Sequence, residues 1–270
     1  MDMLNHSPTT TVRVGLLSSS DSQGQGRIGI SGDKDVEEGQ ECYNNYGGRT
    51  NLQLLYGFGF CVKGNVHDEV RCVHGRIPGC TLIDCIAIQV PVKLGAAVPT
   101  AAKKKLLQHC SVVVDATRAL KRSPPYIPPE LLATLRVLVM DDSLVNKLLG
   151  EQSSVPDSAP AKRTKSVADI LFKPIVPTPE HPDCELDALE ALAGFLVQKL
   201  SALSSLARTL VDGAETPFGV DSRRIAQIYV GSQLEVVSAA IESIREKSEQ
   251  FQAQFGELLD KYADDSEAQE

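Results

Sequence analysis

The hydrophobic pattern changes period once along the chain, and that change divides it. Between residues 11 and 90 short apolar runs alternate with polar residues or stand as blocks: "TVRVGLL", "GRIGISG", "CVHGRI" and "TLIDCIAIQV". Such runs, bounded by Gly, Asp and Ser, predict strands. The turn "SSSDSQGQG" at 18–26 joins the first two and predicts an exposed hairpin loop. One stretch interrupts this region. In "TNLQLLYGF", Leu52, Leu55 and Tyr56 stand at helical spacing behind a capping-type Thr50 or Asn51, and Gly57 and Gly59 break the pattern. One or two helical turns are expected there, wedged between strands.

From about residue 99 the period is helical. "TAAKKKLLQHC" forms one segment and "PPELLATLRVLVM" another, the second opening on Pro128 and Pro129, where a missing amide proton costs little. Residues 150–183 are rich in Ser, Pro and charge and predict a long, partly mobile connection. Two long amphipathic helices follow. The first, over 184–212, lines Leu186, Leu189, Leu192, Leu196, Leu203, Leu206 and Leu210 along one side. The second, over 222–262, carries Ile225, Ile228, Val237, Ile241, Ile244, Phe251 and Phe255 in the same manner, so the two bury their stripes against each other. The expected fold class is α+β: a small β-rich piece over 1–95, an all-α piece over 96–262, and an acidic, fraying tail at 263–270.

Charge narrows the partners. The net charge is −8 and the pI near 5.2, which argues against broad binding to nucleic acid or an anionic membrane surface. The basic clusters "KKK" at 103–105 and "KRTK" at 162–165 are expected to be solvated loop charges. No apolar run approaches the ~20 residues needed to span a bilayer, and no signal peptide is visible. Seven cysteines are an odd number without framework spacing, the pattern of free thiols in an intracellular reducing compartment, whether cytoplasm, nucleus or plastid. Cys72, His74, Cys80 and Cys85 lie close in sequence, but no CxxC pair is present and no metal is expected.

Common catalytic signatures are missing: there is no GxSxG, Walker loop or HExxH, and "GQGRIGISG" sits in a hairpin rather than after a strand. His67, His74, His109 and His181 have no nucleophile or carboxylate at recognisable spacing and are expected to be surface or packing residues. Two stretches remain. One is "DMLNHSP" at 2–8; the other is "YGGRTN" at 46–51, followed by "YGFGF". Together, with "DVEEGQECYNN" between them, they resemble the SET-domain protein methyltransferases of the Rubisco large-subunit methyltransferase class. There a "DMLNH"-like segment precedes a hairpin, an acidic turn, and "YG-x-x-S/T-N" leading to "YGF". The later stretches "YIPPELLATLRVLVM" and "DSRRIAQIYVGSQLEVVSAAIESIREK" are similar to the helical substrate-binding domain of that class, Tyr229, Gly231 and Gln233 matching its "Y-R-x-G-Q" motif loosely.

The resemblance implies an S-adenosylmethionine-dependent protein-lysine N-methyltransferase acting on a protein substrate. By position, Asn5 and His6 would be cofactor residues, Tyr46 would line the methyl-transfer channel as the catalytic residue, and Phe58 and Tyr56 would face the substrate. Phe58 departs from the family, which has a second tyrosine at that place. A phenyl ring there removes one hydroxyl from the acceptor pocket. The chemistry suits these residue types. Methyl transfer is an in-line displacement helped by alignment and by polar groups around a shifting positive charge, and the acceptor amine must be neutral. Tyrosine offers a fixed hydroxyl, and glycine lets the backbone approach closely. In the family further SET strands and a Gly-rich cofactor segment precede "DMLNH", so the chain is expected to be an N-terminally truncated, C-terminal portion of such an enzyme. Two alternatives stand beside this reading: histidine as the acceptor, and a non-catalytic module whose helical domain grips a protein partner.

Overall fold

The computed structural model describes residues 4–17, 27–32, 35–74, 88–90, 100–112, 118–153, 171–178, 181–212 and 220–267. Among these, the α+β organisation takes the form of two small sheets and six helices. Strands β1 (Val12–Leu17) and β2 (Arg27–Gly32) form an antiparallel hairpin with Val12 opposite Gly32 and Leu17 opposite Arg27. The 18–26 loop lies outside the described residues. Helix α1 (Asn51–Phe58) is the interruption expected from "TNLQLLYGF". Its start is a full capping box: the Thr50 hydroxyl accepts from the Gln53 amide at 3.2 Å, and the Gln53 side chain accepts from the Thr50 amide at 3.0 Å. It runs through Gly57 and ends at Gly59, whose φ of 79° is the left-handed cap that glycine adopts without strain.

Strand β3 (Glu69–His74) lies at the centre of the second sheet. It pairs in parallel with β4 (Ile88–Val90) and antiparallel with β5 (Arg118–Lys121). Here the structure departs from the helical period expected beyond residue 99. Four residues, "RALK", are too few to show alternation, and they become a strand because β3 offers them a ladder. The second sheet is therefore built from both halves of the sequence.

Helices α2 (Ala101–His109), α3 (Pro129–Val139) and α4 (Asp142–Ser153) precede the long pair α5 (Cys184–Asp212) and α6 (Val220–Glu267). The long pair falls where the leucine and isoleucine stripes put it. One boundary differs: α6 continues to Glu267, into the stretch expected to be a fraying tail, where neither Gly nor Pro interrupts it. α3 is the central element. Every residue from Leu131 to Leu138 is buried, as befits a helix that is apolar all round. Leu131, Leu132 and Leu135 join Val70 and Leu120 of the sheet, Leu189, Leu192 and Leu196 of α5, and Val236, Val237 and Ala240 of α6. Ala133, Val137 and Met140 turn to a second core with Leu106 and Leu107 of α2, Val145 and Leu148 of α4, and Leu171.

Arg136 is the exception on α3, a cation between two apolar cores. Its guanidinium donates twice to the Glu185 carboxylate, both at 2.7 Å, and once to the Leu171 carbonyl at 2.7 Å. The Ile175 amide completes the carboxylate's shell at 3.0 Å. A buried ion pair persists when its polar atoms find partners, and here all three guanidinium nitrogens and both carboxylate oxygens do. Within the connection expected over 150–183, the described residues 171–178 are thus pinned to the core.

Candidate functional site

The stretches "LNHS" and "CYNNYGGRTN" meet through their backbones. The Asn44 amide donates to the Asn5 carbonyl at 2.8 Å, and the Ser7 amide donates to the Asn44 carbonyl at 2.9 Å, making a parallel bridge between His6 and Asn44. Asn45 adds a side-chain clamp, its amide donating to the carbonyl of Thr10 at 2.9 Å. Two contacts then fix the rings. The Tyr46 amide donates to His6 Nδ1 at 3.1 Å, which requires Nδ1 unprotonated. The Tyr46 hydroxyl donates to the Leu4 carbonyl at 2.7 Å. Burial holds the His6 pKa below its ordinary value, partly offset by a backbone hydrogen bond with Asn44.

The rings gather on this frame. His6 stacks on Tyr46 with centroids 5.1 Å apart; Tyr46 and Phe58 are 4.5 Å apart; Phe60 lies 6.0 Å from His6 and 6.3 Å from Phe58. These are the spacings of offset and tilted aromatic pairs. The Arg49 guanidinium sits 5.7 Å above the Phe58 ring, held by donation to the Tyr46 carbonyl at 2.9 Å. Phe58 is still 47% exposed. Of the residues singled out by sequence, His6, Tyr46 and Phe58 come together. Asn5 is exposed and its side-chain amide goes to Glu41. Tyr56, on the far side of α1, is 90% exposed and stands outside the ring group.

Behind the rings, α1 is tied down by three buried polar residues that the sequence reading did not assign. Asp68 accepts from the Asn51 amide and the Asn51 side chain, both at 3.0 Å. Asn51 in turn accepts from the Val62 amide at 2.8 Å and donates to the Val62 carbonyl at 3.0 Å, and Asn65 bonds the Arg49 carbonyl at 2.9 Å. The knot thus holds both ends of the segment bearing Arg49, Phe58 and Phe60. Cys61, half-buried beside Asp68, has its thiol pushed up to about 11, chiefly by burial.

A cavity of about 300 Å³ opens next to His6, walled by Asn45, Gly47, Gly48, Arg49 and His67. Gly47 has a φ of 86°, which glycine adopts freely. A Cβ on Gly48 would come within 3.0 Å of the His67 ring. His67, expected to be a surface or packing residue, thus belongs to the cavity wall. Among the described residues no cluster of His, Cys, Asp or Glu could hold a metal, and no helix is long and apolar enough to cross a membrane. Cys72 and His74 side chains, and all of Cys80 and Cys85, lie outside the described residues.

Residues 99–237 match the model of the Rubisco LSMT substrate-binding family. The chain belongs to that family. The ribosomal lysine N-methyltransferase of Schizosaccharomyces pombe is 33% identical over 81 residues, covering 29% of this chain and 14% of that protein. The actin-histidine N-methyltransferase of Danio rerio is 28% identical over 153 residues, covering 56% of this chain and 22% of that protein. Its counterpart in Xenopus tropicalis is 26% identical over 156 residues with the same coverage. The match thus spans about a fifth or less of the length of these relatives.

Proposed function

We propose that this chain is part of an S-adenosylmethionine-dependent protein N-methyltransferase whose acceptor is a lysine side chain. The observation that carries the reading is the ring group of His6, Tyr46, Phe58 and Phe60, of which His6 also lines the neighbouring glycine-walled cavity. The residues fit the cofactor. Ring faces attract a sulfonium cation, and a cavity of about 300 Å³ stands at the lower end of small-molecule sites. His6, Asn45 and Arg49 would hold the cofactor, with Asn5 contributing its backbone beside them. When bound, S-adenosylmethionine supplies an activated methyl group. The chain's own part is alignment. Because the Tyr46 hydroxyl spends its proton on the Leu4 carbonyl, its lone pairs are left to accept from an incoming amine N–H. A neutral acceptor can thereby be oriented without being protonated. Phe58 supplies an apolar wall, and Tyr56 would meet the substrate only at the outer rim.

Histidine is the second reading of the acceptor. The actin-histidine enzymes align with 56% of this chain, against 29% for the ribosomal lysine enzyme, whereas the latter is the more identical, at 33% against 28%. The test is calorimetric titration of S-adenosylmethionine onto this chain, alone and continued upstream with SET strands, followed by labelled methyl transfer to lysine- and histidine-bearing peptides. Binding that His6→Ala abolishes supports the reading. Failure of both chains to bind, or indifference to His6→Ala, refutes it. Label on histidine alone replaces lysine as the acceptor.

A further inference from the structure

A second hollow, of about 390 Å³, lies between the turn at Lys63 and Gly64 and one face of α6. It is next along the chain from the cavity at His6, since Val62 lines the first and Lys63 the second. On α6, Arg224, Ile228, Gly231 and Glu235 recur at helical spacing and so share the face that looks into it. Lys63 and Arg224 have no carboxylate partner among the described residues. Glu235, on the same rim, is already paired with Arg122, which also reaches Ser232 at 3.3 Å. The groove is therefore positive in a chain whose net charge is −8.

Gly231 is the second observation. A Cβ there would meet nothing within 4 Å, so no close packing calls for glycine. Glycine also weakens a helix interior relative to alanine. What the bare backbone leaves is depth, with half-buried Ile228 beside it. Room, an apolar floor and two unpaired cations make a seat for an extended chain carrying carboxylates. A single small anion is a poor fit, because exposed cations hold one charge weakly, whereas several carboxylates on one chain can meet both.

We propose that this groove docks an acidic stretch of the protein substrate, beside the residue that receives the methyl group; the identity of the occupant rests on the methyltransferase reading above. The selectivity is electrostatic: sequences with acidic flanks are favoured over neutral ones, more strongly at low salt.

The probe is a short fluorescein-labelled peptide with a central lysine flanked by glutamates, titrated by anisotropy against the full chain beside its serine-flanked counterpart. The acidic peptide is expected to bind the tighter of the two, and Lys63→Glu with Arg224→Glu to weaken it about tenfold or more. Gly231→Leu keeps every charge and favours the helix, so it should weaken binding about fivefold while the melting temperature holds or rises. Lys104→Glu with Lys105→Glu, an equal charge change on α2, should alter affinity less than about twofold. Equal affinity for both peptides, an equal loss in the α2 variant, or no effect of Gly231→Leu overturns the proposal. Binding is read without cofactor or turnover, which separates the two claims. A peptide that docks in the groove and, with either lysine or histidine at its centre and with the chain continued upstream, accepts no methyl group refutes the methyltransferase reading and retains the groove. Equal methyl transfer to both peptides removes the groove.

Discussion

Glu185→Gln is the perturbation with the best-defined cost. The Arg136 and Glu185 side chains are 5% and 3% exposed, and the carboxylate accepts three hydrogen bonds, two from Arg136 and one from the Ile175 amide. Neutralising it leaves a guanidinium charge between two apolar cores with no counter-ion. Breaking a buried pair from one side costs about 3–5 kcal/mol. At roughly 2–4 °C per kcal/mol for a domain of this size, the melting temperature should drop by about 6–20 °C. Replacing both partners, Arg136→Met with Glu185→Leu, removes both charges together and leaves the Leu171 carbonyl and Ile175 amide short of one bond each. The double variant should therefore lose far less than the sum of its singles, with a coupling energy of about 3 kcal/mol or more. Urea unfolding followed by far-UV circular dichroism gives all four corners of the cycle, and a constant m-value certifies that the states compared are the same. A coupling energy below about 1 kcal/mol would show that the pair is not the desolvated, mutually satisfied unit described here.

Three further outcomes follow from the site. Phe58→Tyr adds a hydroxyl to the ring group, and on the methyltransferase reading product mass spectrometry should show a shifted distribution of methylation states; an unchanged distribution counts against Phe58 facing the acceptor. Thr50→Ala removes the N-cap of α1 and should cost about 1 kcal/mol, visible as faster amide exchange over Asn51–Phe58 and contradicted if exchange there is unaltered. For His6 the folded-state pKa lies below the ordinary value of about 6.5, so its contribution to stability is complete above that value and lost as pH falls through the lowered one. Protection of the Tyr46 amide, which donates to Nδ1, should fall over that acid range and lose its pH step in His6→Gln; protection that stays constant with falling pH until the whole fold melts speaks against it.

Where the sequence is periodic or locally capped, it was legible. The hairpin, α1 with its Thr50 cap, and the α5–α6 pair all rest on contacts within a few residues or on long stripes. Arg136 was legible in principle, because a lone cation inside "LLATLRVLVM" needs a partner; Glu185, forty-nine positions away, has no such mark. The same holds for Asp68 and Asn65, whose bonds to Asn51 and Arg49 span up to seventeen positions and exist only once β3 and α1 have been brought together. Within the candidate site, the motif resemblance drew attention to His6, Tyr46 and Phe58, which do meet. It said nothing of Arg49 or His67, since their place depends on a glycine-lined turn and not on any spacing.

β5 has a bearing on how the molecule assembles. Its residues Arg118–Lys121 pair with Glu69–Cys72, while Gln233 of α6 bonds the Glu69 carbonyl at 3.2 Å across a separation of 164 positions. Contacts of such separation carry a heavy loop-closure entropy and form late. The motif-bearing segment and the helical segment therefore earn their order from each other. Denaturation should not proceed half by half: the rings at Tyr46 and Phe58 and the helices that flank the groove are expected to lose structure in one concerted step, so a destabilising change deep in α3 would be felt at the ring group without touching it.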